Sequence, residues 1–140
     1  MALPEPEYLT SLILRIDFSS DAAWEAVRAA IDGADKYRHA TYVSDRSFNG
    51  VSVQMLVDAD AAADDDDKLC HLFVADTITM TDEEHPLLAV DLYDEPGRTF
   101  RVAPRCYVNV SANLTIANMD FADFADAADA SGAFRGFEGG

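Results

Sequence analysis

Two stretches of this chain, "LCHLFVADTIT" (69–79) and "PLLAVDLYD" (86–94), are apolar almost without interruption. A strand with one wet face alternates apolar and polar residues, whereas an unbroken apolar run must be covered on both faces. Helices above and below a sheet supply that cover, so these two runs place the chain in the α/β class. The neighbouring segments fit the same plan. "LTSLILRIDF" reads as a strand ending near Phe18, and "RHATYVSD", Arg38 to Asp45, reads as a second. The turn signal "DEPG", Asp94 to Gly97, joins residues 87–93 and 98–103 into a hairpin. Between strands, Ser20 is a good N-cap with Asp21 at the favoured end of the helix dipole. At ~100° per residue Trp24, Val27 and Ile31 share a narrow arc, a core face, and Gly33 is the natural stop. "SVQMLV" predicts a short helix capped by Ser52, and Thr81 to Glu84 fit a capping box for one turn before Pro86.

The stretch "NLTIANMDFADFADAAD", Asn113 to Asp129, carries two interleaved patterns. Phe121, Phe124, Ala125 and Ala128 follow the i, i+3, i+4, i+7 spacing of a helix face, while Asp120, Asp123, Asp126 and Asp129 recur every third residue. Both patterns are satisfied by one amphipathic helix docked by its phenylalanines. Asp126 and Asp129 would then stand against the negative end of the helix dipole, a hint that the acidic face is tolerated or used. The expected architecture is thus α/β, a single domain over residues 1–140. A mixed sheet of about five strands is covered by about three helices and ends in this C-terminal amphipathic helix. The ends, about 1–8 and 136–140, are expected to fray, which also accounts for the terminal diglycine.

Charge sets the physical character. Ten Lys and Arg stand against 26 Asp and Glu, a net charge of −16. Such a field repels nucleic acid and anionic membrane and attracts basic proteins, although a GC-rich genome or a salt-adapted cytoplasm produces the same bias with no partner. No apolar run is long enough to cross a bilayer, and the start has no basic, apolar signal-peptide pattern, so the expectation is a cytoplasmic protein. The densest acidic segment, "DADAAADDDDK" from Asp58 to Lys68, offers no apolar face and reads as an exposed, mobile loop. It lacks the glycine and distal glutamate of an EF-hand loop. Cys70 and Cys106 have no metal-ligand spacing, and both read as reduced, buried thiols.

Catalytic patterns are sparse. Cys70 and His71 are adjacent, so on a strand they point to opposite faces and form no dyad. There is no G-x-S-x-G, no Walker motif and no G-x-G-x-x-G. His85 has Glu83 and Glu84 beside it but reads as an exposed loop residue. Three predicted strands end in or near an aspartate, Asp17, Asp76 and Asp91. If they converge at the carboxyl edge of parallel strands, they form an oxygen-ligand set for Mg²⁺, loosely like a phosphoryl-accepting receiver domain. The paired acid after the first strand and the lysine after the last are missing. Aspartates also commonly cap turns at strand ends.

"DFSSDAAW", "LFVADTIT", "HPLLAVDLYDEPGRTFRV" and "NLTIANMDFADFADAADASGAFRGF" together resemble a family of small acidic actinobacterial proteins carrying a domain of unknown function. The resemblance runs from about Leu12 to Phe137 and fits the Asp58–Lys68 segment least. It implies one small α/β domain without assigned catalytic residues, and it favours the GC-rich explanation of the alanine and aspartate excess. The functional expectation is a non-enzymatic acidic protein-binding domain, an inhibitor or immunity-type antagonist of a basic partner. No cofactor is expected, and the contact residues are Asp64, Asp65, Asp66 and Asp67 together with Asp120, Asp123, Asp126 and Asp129. The alternative is a small Mg²⁺-assisted enzyme or phosphate-handling domain on Asp17, Asp76 and Asp91.

Overall fold

β1 (Ser11–Arg15) is buried along its whole length because both of its faces are covered. Leu12 and Leu14 point to one side with Leu72, Val74 and Val90, while Ile13 points to the other with Phe73 and Ala89. The computed structural model describes residues 1–136. After β1 come α1 (Asp21–Ala34), β2 (Ala40–Val43), α2 (Val53–Ala61), β3 (His71–Ala75), α3 (Thr77–Thr81), β4 (Leu87–Asp91) and β5 (Thr99–Val102). α4 (Pro104–Thr115), α5 (Phe121–Ala125) and β6 (Ala133–Phe134) complete the chain, with 3₁₀ turns at Arg46–Phe48 and Asp65–Asp67.

The sheet order is β2-β1-β3-β4-β5-β6. β1 is parallel to both β2 and β3; β4 is antiparallel to β3 and to β5; β6 is parallel to β5. On one face lie α1, α3, α4 and α5, with Trp24, Val27, Ile31, Tyr107, Val110 and Phe124 filling the core. On the other lie α2 and the Arg46–Phe48 turn, which contribute Leu56 and Phe48, with Val51 from the link between them. A mixed α/β single sheet is therefore what the two apolar runs imply. Ser20 accepts from Ala23 N at the start of α1, Ser52 accepts from Met55 N at the start of α2, and within the expected hairpin Leu87–Asp91 pairs with Thr99–Val102. Gly97, at φ 95°, makes its turn with its N–H on Asp91 O. Among the described residues no helix is long and apolar enough to cross a membrane.

The structure differs from the sequence expectation in several places. The sheet has six strands and the described chain five α-helices, against about five and three. α4 was not foreseen; it opens with Pro104 in its first turn, where the missing N–H costs nothing. The long C-terminal helix is replaced by five residues, Phe121–Ala125, followed by a turn into β6. Gly132, at φ 84°, bends the chain there. Finally, the one-turn helix near Pro86 begins earlier, directly after β3. Its capping box is Asp76 with Thr79 rather than Thr81 with Glu84, and Thr81 is its last residue.

The acidic stretch is also more structured than a loop. α2 runs on through Asp58 to Ala61, because alanine-rich sequence favours helix and Asp60 has a buried role. Its carboxylate accepts the Leu69 N–H at 2.7 Å, the partner a buried carboxylate requires. At the amino end, Leu3 packs against the α2-side core, and Glu7 N donates to Thr41 Oγ1. Most of the carboxyl end expected to fray, with the diglycine, lies outside the described residues.

Candidate functional site

In a sheet ordered β2-β1-β3 the chain passes from β1 to β2 on one side and then from β2 across to β3 on the other, and the carboxyl ends of β1 and β3 flank the crevice where such folds hold ligands. Asp17 and Asp76 stand at this edge. Asp91 does not: β4 runs antiparallel to β3, and Asp91 is registered opposite His71 at the other end of the sheet. The three strand-end aspartates therefore do not share one edge. Each also has a local task. Asp17 accepts from Ser19 N at 2.8 Å, and the Ser19 hydrogen bonds hold its carboxyl below the usual range. Asp91 is buried and accepts from Tyr93 N and Glu95 N, both at 2.9 Å, shaping the β4–β5 turn.

Asp76 caps α3 and is gripped by Arg101, whose Nη1 and Nη2 each lie 2.8 Å from a carboxylate oxygen. Burial raises its pKa, but Arg101 and Thr79 outweigh that and the net shift is downward. Alongside, buried Arg15 pairs with Asp21 at 2.8 Å, donates to Asp17 O and Ser44 Oγ, and lies under the Phe18 ring. The edge is thus a set of satisfied ion pairs and caps. Among the described residues no three His, Cys, Asp or Glu side chains are grouped as a metal site requires.

The two acidic segments singled out by sequence divide sharply. In the C-terminal one, Asp123 closes the first turn of α5, its Oδ2 accepting from Asp120 N at 2.9 Å while its own N–H donates to Asp120 O. Asp126 forms an ion pair with Arg98. Asp129 lies outside the helix and organises the turn into β6. It accepts from Ser131 and Ala133 and pairs with Arg135 at 3.0 Å, and these donors, Ser131 first, lower its carboxyl to about 2. What reads in sequence as one solvated acidic face is therefore largely consumed in holding the C-terminal segment to β5 and β6.

Asp64, Asp65, Asp66 and Asp67 behave differently. All four are exposed, and among the described residues none of their carboxylates enters an ion pair or a side-chain hydrogen bond. The backbone beneath them is fixed by the 3₁₀ bond from Asp67 N to Asp64 O, and Lys68 Nζ turns back to Ala61 O at 3.2 Å. The segment stands between two surface cavities. One, of about 680 Å³, is lined by Met1, Leu3, Asp64, Asp66 and Asp67. The other, of about 370 Å³, includes Asp65 in its wall.

Sequence reading missed a buried polar cluster at the amino edge of the parallel strands. Ser11 Oγ is 2.8 Å from His71 Nε2 and 2.7 Å from Ser111 Oγ, and Tyr107 donates to His39 O at 2.7 Å. Ser11 is 2% exposed, so this Ser–His contact has no access for a substrate. Its members are separated by 60 and 100 residues, and no local motif signals it.

A mixed six-stranded sheet with helices on both faces defines a small α/β domain. Over residues 10–137 the sequence matches the family described as a domain of unknown function, DUF6924, and the chain belongs to that family. A search of curated proteins finds no match.

Proposed function

We propose that this protein is a non-enzymatic binding domain that recognises a basic protein partner through the Asp64–Asp67 turn, in the manner of an inhibitor or immunity-type antagonist. The observation that carries the reading is the contrast between the acidic segments. Asp126 and Asp129 are neutralised by Arg98 and Arg135, whereas among the described residues the four carboxylates of Asp64–Asp67 enter no ion pair. Like charges held side by side on an ordered turn repel, and a cationic partner relieves that repulsion while the −16 field speeds its approach. The alternative, Mg²⁺-assisted or phosphate-handling chemistry, is left with Asp17 and Asp76, and Arg101 already neutralises Asp76.

Two variants with equal charge test the site. Changing Asp64, Asp65, Asp66 and Asp67 to Asn removes four charges, as does changing Asp120, Asp123, Asp126 and Asp129. With a lysine-rich peptide as probe at low salt, a purely global field predicts equal losses in affinity. A recognition turn predicts a clearly larger loss for the first variant, with binding that weakens steeply as salt rises. Equal losses would remove the Asp64–Asp67 turn from the function.

A further inference from the structure

The cavity of about 370 Å³ beside the acidic turn is walled by Val57, Leu69, Cys70, Leu92, Tyr93 and Pro96, contributed by α2, the approach to β3, and the β4–β5 turn. Its lining is mostly apolar, with the buried Asp60 bonded to Leu69 N and Lys68 turned back to Ala61 O. Acidic groups flank it from two directions: Asp65 is exposed on the α2 side, and Asp94 is exposed on the turn that carries Tyr93, next to Glu95, which pairs with Arg98. The thiol of Cys70 senses this: burial raises its pKa, and Asp60, Asp91 and Asp94 raise it further. Tyr93 is 72% exposed, a large apolar surface left uncovered in an otherwise charged region. Asp91 fixes the turn that presents it, through the N–H groups of Tyr93 and Glu95.

We infer that this cavity receives an apolar side chain, aromatic or large aliphatic, of a partner segment whose neighbouring residues are Lys or Arg. The inference rests on the binding role proposed for the Asp64–Asp67 turn and adds to it an anchor and a partner chemistry. Charge complementarity chooses the occupant: an acidic rim on two sides repels an acidic or phosphorylated segment and holds basic flanks. A largely apolar pocket at the centre rewards one buried apolar residue, the arrangement in which binding energy concentrates. Basic residues without an apolar anchor meet only the exposed carboxylates, where binding is weak and screened by salt.

Two short peptides distinguish the elements of this proposal: Lys-Lys-Phe-Lys-Lys and Lys-Lys-Ser-Lys-Lys, titrated into the full chain at low salt. Cys70 is exposed and Cys106 buried, so the rate of maleimide labelling of the native protein reports on the pocket. The expected result is that the Phe peptide binds at least about tenfold more tightly than the Ser peptide. It slows Cys70 labelling where the Ser peptide at equal occupancy does not. Tyr93→Ala, an exposed substitution that leaves the core intact, should erase most of that difference. If both peptides bind alike in a salt-sensitive way and neither protects Cys70, the pocket is no anchor while the acidic turn keeps its role. Tighter binding of the Phe peptide without protection of Cys70 places the anchor elsewhere and overturns the inference. If neither peptide binds, both this inference and the reading it rests on fall.

Discussion

His71 shows how far a residue's environment can depart from its sequence setting. Beside Cys70 it looks like half of a failed dyad; in the fold it is a half-buried member of the Ser11–Ser111 cluster. Burial lowers its imidazole to about 4, against 6.5 ordinarily, with Asp91 opposing the shift. As pH falls, the unfolded chain protonates His71 near 6.5 while the folded protein resists until about 4. Its contribution to stability is therefore full above pH 6.5 and is lost as pH falls through that window, by about 3 kcal/mol in total. The depressed carboxylates of Asp35 and Asp76 lie below 3.8 and act outside this range. Urea titrations from pH 7 to 4.5 should show a falling midpoint in the native protein and a much flatter response in His71→Gln, whose amide can keep the Ser11 bond. Parallel slopes would mean that another group governs the acid sensitivity.

At the scale of elements, α5 is five residues long, too short to hold itself, so its stability must come from what it packs against. Phe121 and Phe124 supply that: Phe100 lies 4.9 Å from the first ring and Phe134 lies 5.1 Å from the second. Phe124→Ala should cost ~3–5 kcal/mol in a denaturant melt, the usual range for a buried phenylalanine, whereas Asp123→Asn on the exposed side should cost under ~0.5 kcal/mol. Equal costs would contradict this assignment of faces. The phenylalanine face was legible in sequence because spacing alone determines it. The helix length was not, because aspartates at every third position suit a helix as well as they suit the turn that Asp129 builds from Ser131, Ala133 and Arg135. The hairpin and the caps at Ser20 and Ser52 were readable since their partners are a few residues away. β6 was not, since two residues gain their meaning only by pairing with β5. The strand-end aspartates failed to converge for a similar reason: direction along the sheet is set by tertiary pairing, and β4 reverses it.

For the molecule as a whole, the acidic turn divides the chain in sequence but not in space. β1, α1, β2 and α2 precede it; every other strand follows, yet β3 lies directly against β1. Leu12, Leu14 and Leu56 from the first part pack with Leu72, Val74 and Val90 from the second, and Ile13, Val27 and Ile31 share the opposite core with Phe73 and Tyr107. Asp64 to Lys68 happens to spell the Asp-Asp-Asp-Asp-Lys recognition sequence of enteropeptidase. The local structure holding it is slight, a single 3₁₀ turn and the exposed Lys68 contact with Ala61 O, so the opening that cleavage needs is inexpensive. Native protein should therefore be cut after Lys68, giving two bands on a denaturing gel. The nicked protein should elute from a sizing column at the position of the intact chain, because separation would expose two apolar cores and break the β1–β3 pairing. The pieces should part only in denaturant, at a lower concentration than unfolds the uncut chain, since cleavage removes the covalent link that keeps their effective concentration high. Resistance to the protease would show that the turn is held more firmly than its two contacts account for. Prompt separation in buffer would mean that the two parts do not share the cores described, and the single-sheet architecture would then be wrong.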